Sequence, residues 1–410
     1  MKQSEGKIMT ILDSFEKAED IDKWMRDQSI ADEASIRDEF RSWKVSRQHS
    51  FIRYLEKRRA YEAIDLFMDN FARENVYLFT TALFSVASSP DPHPRALKLL
   101  HRMDQRRIKP TTLTFTALLG SAAGPKQTSE MIKIIDGYKD IQLDSEVYNS
   151  AIYGCQRKSR HRISSEQSSS SEEQWKTALN LFQRMRRNRV HPTSKTYLAL
   201  LQVVGKTEKI KIALSLFREA QSAPDVVIDD RLWGAILNVC AASAQYATAI
   251  TLFNEMTASG HRPNLRHCSS LLRALAKAGK GGMAYEALDM MLGRYDLVLD
   301  GELASAFPNF TIHPTPPDLI AVNTVLSACS KSKQVDATEC LFARLKDGMI
   351  KDSEGKELQP DHISYHCVLA SCRRPEIATG LIREVGFPCF GYTAFYYDVW
   401  YRIVLTSSFL

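Results

Sequence analysis

The sequence predicts an all-α fold, a solenoid of stacked antiparallel helix pairs with about 35 residues per repeat. Three observations predict it. First, an aromatic or apolar residue, then a small or polar one, then an apolar pair recurs along the chain. It stands as FTTAL from Phe79, FTALL from Phe115, YNSAI from Tyr148 and YLALL from Tyr197, then WGAIL from Trp233, CSSLL from Cys268, VNTVL from Val322 and YHCVL from Tyr365. Successive starts lie 36, 33, 49, 36, 35, 54 and 43 residues apart, so the long spacings are the same unit carrying an insertion. Second, Ala-apolar-x-Leu-Phe follows as AIDLF (63–67), ALNLF (178–182), ALSLF (213–217) and AITLF (249–253), with weaker forms ALKLL (96–100) and TECLF (338–342). Third, one helix exit is written three times, with Pro110, Pro192 and Pro263 each seven residues after Met103, Met185 and Met256. Apolar residues at i, i+3 and i+4 on both segments argue two helices per unit, and Pro suits the stop. One such hairpin cannot bury its own stripe, so neighbours must stack.

In chain order, residues 1–42 read as a helical segment and 43–75 as a degenerate repeat. Seven units follow across 76–361, then a truncated unit at 362–385 and an aromatic capping tail at 386–410. Insertions are expected near 157–174, 295–317 and 349–357, all at turns. The first, RKSRHRISSEQSSSSEEQ, is charged and serine-rich and has the composition of a flexible loop. Cys155, Cys240 and Cys329 each follow the unit's Tyr148, Trp233 or Val322 by seven residues, which makes them core filler. The 8 cysteines include no CxxC pair, so zinc-ribbon and redox signatures are missing.

Lys+Arg of 54 against Asp+Glu of 48 gives a net charge of +6, which permits an anionic partner without demanding one. No apolar run approaches the roughly 18 residues a membrane-spanning helix needs, so no membrane partner is expected. The first residues, MKQSEGKIMTILDSFEKAED, show neither a secretory core nor an Arg-rich transit segment. The expectation is that the protein stays where it is made, or that Met1 does not begin the precursor.

Units of this length, with Ala deep in the second helix and an exit of Pro followed by Asp, Asn or Thr, resemble the pentatricopeptide repeat family. DRLWGAILNVCAASAQYATAITLFNEMTASGHRPN (230–264) carries the resemblance without a gap, and it extends well over 76–361. The W-x2-L-G-x2-Y pattern of the tetratricopeptide repeat is absent from every first helix. The resemblance implies a right-handed superhelical form and one RNA base read per repeat, through the residue after the aromatic and the last residue of the unit. By that resemblance Thr116 with Asp144 looks like a guanine reader and Asn323 with Asp361 a uracil reader. Asn149 with Thr193 leans towards a pyrimidine, Ser269 with Asp318 resembles a guanine pair, and Thr80 with Thr111 is ambiguous. Leu198 with Asp229 and Gly234 with Asn264 depart from the pattern. Beside this stands a plainer role, since Thr, Asn and Asp at unit junctions are also what helix N-caps require.

Lys206, Lys277 and Lys331 share one register, nine residues after Tyr197, Cys268 and Val322, and are candidates for RNA phosphate contacts. The clusters Arg102-Arg106-Arg107-Lys109 and Arg184-Arg186-Arg187-Arg189 fall on second helices and turns and are expected to face solvent or a partner. Arg157, Lys158, Arg160 and Arg162 lie in the serine-rich loop. His362, His366, Cys367 and Cys372 show no recognised zinc spacing, and no catalytic set emerges, so neither metal nor cofactor is expected. The expected function is non-catalytic, sequence-selective binding of single-stranded RNA. The family setting is a mitochondrion or chloroplast, with RNA-processing or ribosome-associated proteins as further partners. The alternatives are a protein-interaction scaffold using the same groove, or a nuclease subunit whose catalytic domain lies beyond this chain.

Overall fold

The structure, a computed structural model, describes residues 5–30, 34–157, 171–205, 209–294, 301–307, 310–372, 377–378 and 380–381. Among these residues it is built of helices, with one isolated antiparallel bridge between Lys351 and Glu357. The chain divides into two compact units, residues 1–203 and 204–410, and the division falls inside one helix.

The first unit opens with α1 (Glu5–Asp13), α2 (Ala18–Ile30) and α3 (Ala34–Ser42). Four helix pairs follow: α4 (Val45–Lys57) with α5 (Tyr61–Asn70), α6 (Val76–Val86) with α7 (Pro92–Gln105), α8 (Thr112–Gly120) with α9 (Pro125–Ile135), and α10 (Ser145–Gln156) with α11 (Ser171–Arg187). Helix α12 (Ser194–Gly205) contains the division. The second unit holds α13 (Ile210–Ser222), α14 (Asp230–Ala242), α15 (Tyr246–Ala258), α16 (Leu265–Lys277) and α17 (Gly281–Met291). After the short α18 (Glu302–Ala306) come α19 (Leu319–Lys331), α20 (Val335–Lys346) and α21 (His362–Ser371).

First helices pack on first helices: α4, α6, α8 and α10 in sequence in one unit, and α14, α16, α19 and α21 in the other. The repeated aromatic explains why. Phe79, Phe115, Tyr148 and Trp233 are buried, and Trp233 meets Phe217 of the preceding second helix edge-on at 4.9 Å. Ala63, Ala96, Ala178, Ala213 and Ala249 are fully buried on the second helices, where a small residue lets helices approach. Cys155, Cys240 and Cys329 are buried too, and desolvation pushes each thiol up to about 12, so none is a nucleophile at neutral pH.

The thrice-written exit is a Schellman turn. Ile108 N–H donates to the Met103 carbonyl at 2.9 Å, Val190 to Met185 at 3.1 Å and His261 to Met256 at 3.2 Å. Each needs a left-handed residue just before it, and Arg107 (φ 56°), Arg189 (φ 56°) and Gly260 (φ 83°) supply it. Met103, Met185 and Met256 point into the core, which fixes where each helix stops.

Two insertions differ from simple loops. Helix α11 starts at Ser171, inside the segment composition marks as loop, because Glu172 and Glu173 in its first turn complement the helix dipole. Residues 158–170, with Lys158, Arg160 and Arg162, lie outside the described residues. The second insertion packs into the core: Leu303, Phe310 and Ile312 are buried, Phe310 meets the Phe253 ring edge-on at 5.7 Å, and Thr315 N–H donates to the Met291 carbonyl at 2.8 Å. Beneath it, the buried Arg344 of α20 donates to Asp289 of α17 at 2.6 Å and to the Tyr285 hydroxyl at 2.9 Å. The 386–410 tail lies outside the described residues.

Two predictions follow from this packing. Arg107→Gly and Arg189→Gly relieve the left-handed strain of a side chain, a cost of roughly 1–2 kcal/mol, against the entropy glycine adds, so each is expected to stabilise by about 0.5–1 kcal/mol. Urea melts of each variant check this. Asp289→Ala strands the Arg344 charge in the interior and is expected to destabilise the second unit by roughly 3–5 kcal/mol, read from the same melts.

Candidate nucleic-acid interface

Each first helix begins immediately after the last residue of the preceding repeat, so that residue is the N-cap. The Thr111, Asp144, Asp229, Asn264, Asp318 and Asp361 side chains accept hydrogen bonds from the N–H of Thr114, Val147, Leu232, His267, Ala321 and Ser364, at 3.3, 3.0, 2.9, 3.2, 2.7 and 3.0 Å. Every donor is at helix position N3, three residues past the cap. Thr193 differs: its hydroxyl lies 3.2 Å from the Thr196 hydroxyl, and the Thr196 N–H donates to the Thr193 carbonyl at 2.8 Å. The changing last letter of the repeat is therefore restricted to residues that can cap.

Position N5 of the same helices carries the residue after the aromatic: Thr80, Thr116 and Asn149 in the first unit, and Gly234, Ser269 and Asn323 in the second. At three junctions the N5 side chain reaches the cap of the next first helix. Asn149 Nδ2 donates to Thr193 Oγ1 at 3.4 Å, while Asn149 Oδ1 accepts from the Thr196 hydroxyl at 2.6 Å. Asn323 repeats this, with Nδ2 donating to Asp361 Oδ1 at 3.0 Å and Oδ1 accepting from Ser364 at 2.7 Å. Thr80 and Thr111 are joined through Thr114, whose hydroxyl lies 2.9 Å from one and 3.1 Å from the other. The other two predicted pairs are not hydrogen-bonded to each other among the described residues. The Thr116 hydroxyl donates to the Thr112 carbonyl of its own helix at 3.0 Å, and Ser269 is half-buried beside a junction whose N3 residue is Ala321. Val147 and Ala321 have no hydroxyl to bridge with.

The junction after Gly234 is filled differently. His267, at N3 of α16, is buried, with Nδ1 accepting from the Asn264 N–H at 3.2 Å and Nε2 2.9 Å from the Asp230 carbonyl. The neutral Nε2–H tautomer satisfies both contacts. A Cβ built on Gly234 would meet His267 Nε2 and Cδ2 at 3.4 and 3.5 Å, so the imidazole packs directly against this glycine.

Asp361 is the most heavily engaged cap. Burial alone would raise its carboxyl pKa. The Ser364 N–H, the Asn323 amide and the Ser364 hydroxyl, with the nearby His362, outweigh that and hold it below the usual carboxylate range. These bonds fall on Oδ1.

Helical geometry places N2, N5, N9 and N13 on one face. Position N2 escapes a sequence reading because it looks like an ordinary first turn. Tyr77, Leu113, Ile320 and Ile363 occupy it and are 49, 54, 74 and 45% exposed, unusual for large apolar side chains. Tyr77 stacks on His49, the N5 residue of α4, with ring centroids 4.9 Å apart. Glu146 and Lys195 take N2 in α10 and α12 and pair at 2.8 Å, while Arg231 and Arg266 take it in α14 and α16. Exposed Phe84 and Tyr153 stand at N9.

Position N13 carries the candidate phosphate lysines. Lys277 Nζ donates to the carbonyl of Ala242, the last residue of α14, so it stabilises that helix end as well. Lys331 is exposed in the last turn of α19, and Lys206 lies outside the described residues. In the arginine clusters on second helices, Arg106 donates to the Asp69 carbonyl at 3.0 Å and Arg184 to Asp136 at 2.9 Å, while Arg107, Lys109, Arg186, Arg187 and Arg189 are exposed. Among the described residues no three His, Cys, Asp or Glu side chains are grouped so as to hold a metal ion, His362, His366, Cys367 and Cys372 included. No helix of the described residues is long and apolar enough to cross a membrane.

Two family profiles match this chain, the pentatricopeptide repeat domain over residues 70–124 and the pentacotripeptide-repeat region of PRORP over 154–302. Over these residues the chain carries pentatricopeptide repeats. It is similar to a pentatricopeptide repeat-containing protein of Arabidopsis thaliana, 25% identical over 162 residues that make up 35% of this chain and 31% of the relative. A second Arabidopsis relative, designated mitochondrial, is 23% identical over 156 residues, 38% of this chain and 23% of its own. The chain thus spans a third or less of these relatives' length. Among solved structures it is similar to the pentatricopeptide repeat protein PPR10 from maize, with TM-score 0.31, 15% identity, and coverage of 87% of this chain and 60% of that one. It is also similar to the repeat domain of Arabidopsis protein-only RNase P 1 in complex with tRNA, with TM-score 0.34, 20% identity, and coverage of 45% and 87%.

The lowered Asp361 pKa sets a pH dependence. A depressed folded pKa means the cap's contribution is full above the unfolded value of about 3.9 and is lost as pH falls through the lower folded value. Urea melts of the wild type and Asp361→Ala are therefore expected to differ by about 1 kcal/mol at pH 7. That gap should shrink as the pH is taken below 3.9 by an amount that protonates the native carboxyl.

Proposed function

We propose that the chain binds single-stranded RNA along the N2–N5–N9–N13 face of its first helices and acts without chemistry of its own. The reading residues are Thr80 with Thr111, Thr116 with Asp144, Asn149 with Thr193, Ser269 with Asp318, and Asn323 with Asp361. The observation that carries this reading is the cap itself: a side chain fixed by the helix N-terminus yet hydrogen-bonded to a variable N5 neighbour, as in Asn323–Asp361 at 3.0 Å. A carboxylate held there accepts from N1–H of guanine or N3–H of uracil, groups that adenine and cytosine lack at those edges. Exposed Tyr77, Leu113, Ile320 and Ile363 beside the readers offer surfaces for bases to lie against, an interaction worth roughly 1–3 kcal/mol per base on aromatic side chains. Lys277, Lys331 and, by register, Lys206 supply phosphate contacts.

Not every repeat reads. Leu198 has no hydrogen-bonding group, and His267 fills the place beside Gly234, so the middle of the array holds backbone rather than sequence. A family setting and a mitochondrial relative favour a role in organellar RNA processing, stability or translation, in a mitochondrion or chloroplast. That role would be played by shielding a transcript or recruiting RNA-processing or ribosome-associated proteins.

The test is a titration of the purified chain with single-stranded and duplex RNA at several salt concentrations. Binding is expected for the single strand only, with log K falling as log salt rises. Lys331→Ala should weaken all sequences alike and flatten that slope by about 0.7. No binding to RNA, or salt-independent binding to a peptide, would instead make this a protein-interaction scaffold.

A further inference from the structure

The N3 residue of each first helix does more than close the cap. In three junctions a hydroxyl at N3 faces both the cap of its own helix and the N5 side chain of the preceding repeat. Thr196 Oγ1 accepts from the Thr193 N–H at 2.9 Å and donates to Asn149 Oδ1 at 2.6 Å. Ser364 Oγ accepts from the Asp361 N–H at 3.2 Å and lies 2.7 Å from Asn323 Oδ1. Thr114 Oγ1 accepts from the Thr111 N–H at 3.1 Å and lies 2.9 Å from Thr80 Oγ1. All three hydroxyl residues are buried.

The consequence is chemical. A primary amide has a donor end and an acceptor end, and rotation by half a turn about χ2 exchanges them. With the backbone N–H occupying a lone pair of the N3 hydroxyl, the one hydroxyl proton goes to Asn Oδ1, the nearer acceptor: Ser364 Oγ lies 2.7 Å from Asn323 Oδ1 and 3.0 Å from Asp361 Oδ1. Both Asn149 and Asn323, each 7% exposed, are thereby turned so that Nδ2 points to the cap, and the second N–H of that nitrogen is the donor left for a base. A donor there suits the O2 or O4 carbonyl of a pyrimidine and opposes a base offering an exocyclic amine.

We infer that the N3 residue of the following repeat is a third specificity-determining position, acting by orienting the N5 reader. Thr196 positions Asn149, Ser364 positions Asn323 and Thr114 positions Thr80. Repeats followed by Val147 or Ala321 lack this hydroxyl, so Thr116 turns its own to the Thr112 carbonyl, and Gly234 has no side chain to orient. This rests on the base-reading function proposed above.

The experiment is selection of single-stranded RNA from a randomised pool by the full chain, followed by binding titrations on the enriched motif and its single-base variants. Wild type, Ser364→Ala, Ser364→Thr, Thr196→Val and Asp361→Ala are compared, with circular dichroism melts for each. Ser364→Ala is expected to keep binding but to lose about five- to tenfold in discrimination at one motif position. Ser364→Thr should restore it, and Thr196→Val should relax a different position. A merely structural hydroxyl would weaken every sequence equally and leave discrimination intact, which overturns the inference while base reading stands. Should Ser364→Ala unfold, Thr196→Val decides by the same criterion. A wild-type selection that yields no motif overturns base reading itself, and this inference with it.

Discussion

A helix begins with backbone N–H groups that none of its own carbonyls can reach, and in a packed array those groups are partly buried. Here the side chain that meets this need is the last residue of the preceding repeat. It accepts from the N3 N–H at almost every first helix, from Thr111 to Asp361. The constraint fixes where each repeat starts and limits the cap to Thr, Asn or Asp. It also sets a polar acceptor beside the N5 position of the neighbouring helix. Helix starts and repeat phase depend on that one bond.

Because the cap is both structural and polar, the capping and reading roles are not rivals. A carboxylate has two oxygens, and at Asp361 the cap, the N3 hydroxyl and the Asn323 amide converge on Oδ1. The same logic explains why some repeats have no reader. Where the N5 side chain is absent, at Gly234, His267 packs against the glycine, and its Nδ1 accepts from the Asn264 N–H as the N3 hydroxyl does elsewhere, while Nε2 lies 2.9 Å from the Asp230 carbonyl. An unfilled pocket at that seam would leave the Asp230 carbonyl without this partner.

Much of this was legible in the sequence. The 35-residue phase, the buried aromatic at each first helix and the core cysteines follow from periodicity, because burial of one helical stripe leaves a regular trace. The proposed readers, Asn149 and Asn323 among them, could be named from the family resemblance, but not their contacts. Those contacts join residues 38 to 47 positions apart and depend on what stands at N3, a position that reads as ordinary first-turn sequence. The exposed N2 residues were hidden for a related reason: Ile320 and Ile363 look like core until the helix face is known. The insertion around Phe310 was read as a connection between units, since nothing in FPNFTIHP marks it as core before Phe253 is seen against it. Lys277 was legible as a cation at a helix end, and the carbonyl it meets belongs to the neighbouring helix.

The central claim is that the ligand lies on the face shared by positions N2, N5 and N9 of the first helices. Photo-crosslinking with 5-iodouridine-substituted single-stranded RNA, mapped by mass spectrometry of the digested complex, tests it most directly. The account predicts adducts on Tyr77, Phe84 and Tyr153 in the first unit and none on the buried aromatics or the second helices. Adducts concentrated on the second-helix residues around Arg106 or Arg184, with Tyr77 and Tyr153 unmodified, would contradict it.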